Sequence, residues 1–307
     1  MSKVPDLSVR IAHGLKLINP VMTASGTFGY GDEYCELIDI QKFGAVVCKG
    51  TTLRPRDGNP QPRIVEVSSG ILNSVGLQNI GVEALIKDKA PLWATWHVPV
   101  IVNIAGDTVD EYARVASKLE GVAGISGIEV NISCPNVKAG GMQFGTDPQV
   151  AAEVTRTVKS ATSLPVIVKL SPNVSDIVSI AKAVEKAGAD AISLINTIWG
   201  MAIDTKKRKP VLGNITGGLS GPAVKPVALY MVYKVAGAVG IPVIGCGGIA
   251  NAGDALEFIM AGATAVQVGT ATLTNPGAAL EVIDEIYNFF AAEDIGSISQ
   301  IRGIARQ

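Results

Sequence analysis

The chain has 307 residues, of which 48% are hydrophobic, 17% charged and only 5% aromatic, and its formal net charge is −1. Acids and bases are interspersed, so a nucleic-acid surface, which needs a basic excess, is not expected. The start of the chain carries no apolar run and no stretch approaches the ~18 apolar residues of a membrane span, so neither a secretory signal nor a membrane anchor is expected. The four cysteines (Cys35, Cys48, Cys134, Cys246) form no CxxC pair and the only histidines are His13 and His97. No metal site is therefore predicted, no disulfide framework either, and a reducing cytoplasm is the expected compartment.

Eight short apolar runs predict strands in chain order at 20–24, 45–49, 98–104, 127–131, 166–169, 191–196, 242–245 and 265–269. Helical periodicity falls between them at 108–119, 148–160, 174–187, 225–239, 252–261 and 278–290. Gly188 and Gly262 stand where helices should stop. Alternation of strand and helix implies a parallel sheet, and eight units imply an α/β fold of the (β/α)8 TIM-barrel type in one domain spanning 1–307. An open doubly wound sheet is the alternative. Three connections, 51–81, 134–147 and 197–221, are too long for plain turns. In a barrel all three emerge at the C-terminal face, where lids and binding loops belong.

The strand ends then form one set. Strand two ends in Lys49-Gly50, strand three carries Asn103, strand four ends in Asn131, strand five in Lys169, and strand six in Asn196-Thr197. With two lysines, three asparagines and little acid, the mouth suits a neutral or anionic planar ligand held by amide and ammonium donors. Each lysine can be read as a Schiff-base nucleophile or as a cation holding ligand charge. Gly247-Gly248 after strand seven and Gly269-Thr270 after strand eight sit where barrels often bind phosphate. No GxGxxG fingerprint opens a helix, so a mononucleotide cofactor is expected rather than a dinucleotide.

Cys48, Cys246 and Cys35 read as small buried core residues. Cys134 differs: Pro135 ends the strand pattern and disfavours a helical Cys134, which places that thiol on a loop just past a strand end. Taken alone it could be a nucleophile, a redox thiol, a proton acceptor or a core residue. The histidines lie far from the strand ends, and Lys206–Lys209 reads as a solvated flap on the strand-six loop.

The stretches Asn131-Ile132-Ser133-Cys134-Pro135-Asn136, Lys49-Gly50, Asn73-Ser74-Val75-Gly76-Leu77-Gln78-Asn79 and Gly245-Cys246-Gly247-Gly248-Ile249 together resemble the dihydroorotate dehydrogenases. The likeness runs from Asn19-Pro20 to Gly269-Thr270. It implies an FMN-containing (β/α)8 barrel that oxidises dihydroorotate to orotate in pyrimidine biosynthesis. It further implies Cys134 as the base at C5, with hydride passing from C6 to N5 of FMN. By the same likeness Lys49, Asn73, Ser74, Val75, Gly76, Leu77, Asn131, Asn196 and Thr197 hold substrate. Ser25, Lys49, Gly50, Asn103, Asn131, Lys169, Ile195, Gly221, Gly247, Gly248, Gly269 and Thr270 are the implied FMN contacts.

A cysteine base and the lack of an N-terminal extension resemble the soluble branch. Within it, Gly76-Leu77-Gln78-Asn79 and the stretch from Thr197 to Asp204 resemble the NAD-linked form. That form implies a homodimer of this chain within a heterotetramer, whose partner subunit carries FAD and a [2Fe–2S] cluster. A fumarate-linked enzyme working without a partner is the alternative. Remoter rivals are a tRNA dihydrouridine synthase, which should be more basic, and a Schiff-base aldolase.

Overall fold

A computed structural model describes residues 4–133 and 144–306. Eight parallel strands are present: β1 (Val21–Thr23), β2 (Val46–Val47), β3 (Val100–Ile104), β4 (Gly127–Asn131), β5 (Val166–Lys169), β6 (Ala191–Leu194), β7 (Val243–Cys246) and β8 (Ala265–Val268). Each pairs with its sequence neighbours from β2 round to β8, and β8 pairs with β1. The remaining seam between β1 and β2 is closed by a Met22–Ala45 bridge and by Gly44 N–H donating to the Val21 carbonyl at 2.8 Å. Thr23 completes it: its hydroxyl accepts from Val47 N–H at 2.9 Å and donates to the Val47 carbonyl at 3.3 Å. The sheet is thus a closed barrel, and the open doubly wound alternative falls.

The strands are buried along their whole lengths, which is why they read as continuous apolar runs rather than alternating ones. Helices α1 (Val82–Asp88), α2 (Val109–Leu119), α3 (Pro148–Ala161), α4 (Ile177–Lys186), α5 (Lys225–Ala236), α6 (Ala252–Met260) and α7 (Ala278–Ala292) lie around them. Four start on a side chain that satisfies free N–H groups of the first turn: Thr108, Asp147, Asp176 and Asn251. Two end as the glycines predicted. Gly188 donates to the Glu185 carbonyl while Ala189 reaches back to Val184; Gly262 and Ala263 repeat the pattern on Ile259 and Phe258. Their positive φ values, 100° and 119°, suit glycine.

An N-terminal hairpin, Val9–Ala12 with Leu15–Leu17, plugs the N-terminal end of the barrel, where Leu15 approaches Gly127 at the start of β4. His13 sits in its exposed turn, and His97 is exposed just before β3. The C-terminal end is built differently. The connections after β2 and β6, expected as loops, contribute two strands each to an antiparallel sheet: Ile64–Val67, Gly70–Asn73, Thr216–Ser220 and Ile198–Met201. The strands are short and glycine-rich, so sequence periodicity did not mark them. Close approach requires those glycines: a Cβ on Gly217 would lie 2.6 Å from the Asn73 carbonyl oxygen. The basic run Lys206–Lys209 is exposed at the tip of a further small hairpin, Ile203–Asp204 with Lys209–Pro210. Among the described residues no helix is long and apolar enough to cross a membrane.

Candidate active site

Between the barrel mouth and the antiparallel sheet lies a cavity of about 300 Å³. Its floor is set by strand parity. Along β4, Gly127, Glu129 and Asn131 share one side, and β3 and β5 pair Asn103 with Glu129 and Lys169 with Asn131. Inside the barrel, Glu129 is completely buried. Its carboxylate accepts from Asn103 Nδ2 at 2.8 Å, Ser193 Oγ at 2.8 Å and Gln267 Nε2 at 2.7 Å, with Lys169 Nζ 3.7 Å away. Lys169 also donates to Gln267 Oε1 at 2.9 Å.

Burial alone pushes the Glu129 carboxyl up, but the Lys169 ammonium and the three hydrogen bonds outweigh it and hold the group below the usual carboxylate range. Burial likewise pulls Lys169 down, and the facing carboxylate more than reverses that, so the ammonium is held charged. A Schiff-base lysine needs a depressed pKa. Lys169 has the opposite, so the aldolase reading fails there, and Lys169 is a cation in the cavity wall.

The glycine-rich ends of β7 and β8 meet across one corner. Gly247 and Gly248 have φ of 129° and 77°, and a Cβ on Gly248 would press on the backbone of Lys225 at the start of α5. Gly269 and Thr270 face them, the Thr270 hydroxyl donating to Ser220 Oγ at 2.8 Å. This is the barrel position at which backbone N–H groups hold phosphate.

The opposite wall is amide-rich. Asn196 Nδ2 donates to Ser133 Oγ at 2.6 Å, and Ser133 donates to Asn131 Oδ1 at 2.8 Å, tying the ends of β4 and β6 together. The segment Asn73–Gln78 crosses the mouth with Gly76 and Leu77 at φ of 77° and 54°. Asn79 clamps it: its side chain accepts from Thr52 and Gly81 N–H and donates to Thr52 Oγ1 and the Leu77 carbonyl. Ser74 is held in turn by Asn59 and Asn214. Lys49 lines the cavity and has no ion pair among the described residues.

The sequence-predicted set largely converges. Ser25, Lys49, Gly50, Asn73 to Leu77, Asn103, Asn131, Lys169, Ile195, Asn196, Thr197, Gly247, Gly248, Gly269 and Thr270 all line this one cavity. Gly221 does not line it; at φ 99° it turns the chain out of the antiparallel sheet, packed against Gly70. Cys134 lies outside the described residues, although Ser133, immediately before it, is fixed at the mouth.

The mouth is poor in acid as expected: among the described residues no carboxylate lines the cavity. Sequence reading missed Glu129, buried beneath it; its signal was an acid at inward parity two residues before Asn131. One expectation needs correction. Cys35 is exposed beside a short 3-10 turn rather than buried. Cys48 and Cys246 are buried as expected; burial pushes the Cys48 thiol up to about 12 and raises Cys246 as well.

The family model for dihydroorotate dehydrogenase matches residues 7–290. The chain belongs to the dihydroorotate dehydrogenase family. Curated relatives include proteins named dihydroorotate dehydrogenase B (NAD(+)), catalytic subunit. One from Geobacter sp. (strain M21) is 58% identical over 97% of this chain and 98% of its own length. Another, from Desulforamulus reducens, is 59% identical over 98% of each. The crystal structure of the Eimeria tenella dihydroorotate dehydrogenase in complex with ferulenol superposes with a TM-score of 0.81, covering 99% of this chain and 89% of that one. At 24% identity that likeness speaks for the shared barrel.

The cavity fits the cofactor expected of the family. Asn103 Oδ1 is buried without a partner. It lies where a Cβ on Gly50 would come within 3.0 Å of it, so glycine keeps the space beside it open. A buried acceptor left unpaired calls for a donor from a ligand. A planar ring bearing an N–H, with a phosphate at the Gly247–Gly248 and Gly269–Thr270 corner, satisfies both ends.

Proposed function

We propose that the chain is the FMN-binding catalytic subunit of an NAD-linked dihydroorotate dehydrogenase, oxidising dihydroorotate to orotate. The observation that carries this is one cavity joining a phosphate-type corner, a lysine cation and an amide-rich wall. FMN, when bound, supplies the two-electron acceptor. Gly247, Gly248, Gly269 and Thr270 hold its phosphate end by backbone N–H groups, Gly50 gives its ring room, Asn103 accepts from a ring N–H, and Lys169 places a fixed positive charge against it. Ser25 and Ile195 complete that side of the wall.

On the substrate side Lys49 receives the carboxylate, and Asn73 to Leu77, Asn131, Asn196 and Thr197 match the carbonyl and N–H edges of the pyrimidine. Oxidation also requires loss of the C5 proton, and Cys134 is the group assigned to take it. Cys48 and Cys246 are unsuited to that task, because burial keeps both thiols protonated.

NAD linkage follows from the names of relatives at 58–59% identity. It calls for a partner subunit carrying FAD and a [2Fe–2S] cluster, in a heterotetramer built on a dimer of this chain in the cytoplasm. Co-expression with an electron-transfer subunit of that kind tests this. The expected result is a complex with flavin and iron–sulfur absorbance that reduces NAD when given dihydroorotate. Fumarate-dependent turnover by this chain alone would replace the NAD assignment.

A further inference from the structure

We infer that Glu129 is a positioning residue for the cofactor end of the cavity, setting the orientation of the Asn103 carboxamide so that its oxygen faces the bound ring. The inference rests on the FMN reading given above. Glu129 does not itself line the cavity, whereas Asn103 does. An ionised carboxylate accepts hydrogen bonds and donates none. Asn103 can therefore meet it only through Nδ2, as it does at 2.8 Å, and its oxygen is left pointing away, buried and unpaired.

A flipped amide would set oxygen against oxygen in a fully buried site and would cost both the lost bond and the repulsion. The neighbours reinforce this handedness. Gln267 is oriented by the same carboxylate, giving Nε2 to it and Oε1 to Lys169. Ser193 points its proton inward as well. Each of these groups meets Glu129 as a donor, so one buried charge fixes which atom the cavity wall presents. The oxidised isoalloxazine carries a single ring N–H between two carbonyls, and an acceptor in the wall selects for that edge.

The test is FMN binding to apoprotein, read by quenching of flavin fluorescence, in a double-mutant cycle. Glu129→Gln brings an NH2 into a ring of donors and frees Asn103 to turn its own NH2 toward the cofactor. Asn103→Ala removes the acceptor outright. Each single variant is expected to weaken FMN binding about tenfold, the worth of one hydrogen bond with its desolvation. The double variant is expected to bind only slightly worse than Asn103→Ala, because the first substitution acts through the second.

Losses that multiply within about twofold in the double variant would show that Glu129 acts independently of Asn103 and would overturn the inference. So would unchanged binding in Glu129→Gln. If the wild-type apoprotein itself fails to bind FMN, the cofactor reading falls and the inference falls with it. Where Glu129→Gln does not fold, the same cycle is run with Glu129→Asp, which keeps the charge and withdraws the oxygens by one methylene; additive losses there would overturn the inference in the same way.

Discussion

Replacing Lys169 by methionine keeps the side-chain volume and removes the charge opposite Glu129. In the wild type the folded carboxyl lies below its ordinary value of about 4.5. Glu129 therefore adds stability that is present above that value and is lost as pH falls through the lowered folded pKa. Without the ammonium, three hydrogen bonds remain and burial dominates, so the folded carboxyl rises above its unfolded value. The sign reverses: the variant is least handicapped in acid and loses stability as pH climbs from about 4.5 through the raised pKa.

Removing one partner of a buried ion pair costs about 3–5 kcal/mol. At roughly 2 °C per kcal/mol for a chain of this size, melting of the apoprotein at pH 8 should fall by about 6–10 °C. At pH 5 the deficit should be smaller by at least half, because Glu129 can take up a proton. The assay is thermal melting by circular dichroism across that range. A deficit that is the same at both pH values, or under about 2 °C at pH 8, would refute a protonation-linked Glu129–Lys169 pair.

Cys134→Ala should retain yellow flavin but lose about 10²–10⁴ in steady-state turnover of dihydroorotate, the usual worth of a positioned base; turnover near wild type would remove Cys134 from that role. Gly248→Ala should weaken FMN retention on dilution and destabilise the fold by about 1–2 kcal/mol, because φ is 77° and the new Cβ meets Lys225 backbone. Equal retention would argue against the phosphate corner. Asn79→Ala breaks the clamp behind Leu77 and should raise the KM for dihydroorotate about tenfold or more while FMN stays bound. A change in FMN content with KM unaltered would place residues 73–78 on the cofactor side instead.

The barrel was legible because each buried strand is an apolar run ended by small or polar residues, and four of the clear helices begin on a recognisable capping side chain. The antiparallel sheet over the mouth was not. The pairing that joins its two halves is distant in sequence, Asn73 against Gly218, and Gly217-Gly218 supply closeness rather than a side-chain pattern. The strand-end residues were legible for a related reason: a strand fixes side-chain parity, so Lys49, Asn103, Asn131 and Lys169 had to share one mouth.

That same parity held the clue to the acid beneath it. A lysine at the end of a buried strand needs a counter-charge, and the sequence alone offers Lys169 either as a Schiff-base nucleophile or as a cation holding ligand charge. Glu129 supplies that counter-charge from inside the barrel, on the neighbouring strand and two residues before Asn131. The consequence separates the two lysines. Lys169 is neutralised by the protein and can act on a ring without demanding a full negative charge from it. Lys49 has no such partner among the described residues, so on the function proposed above its charge is available to an anionic ligand in the cavity.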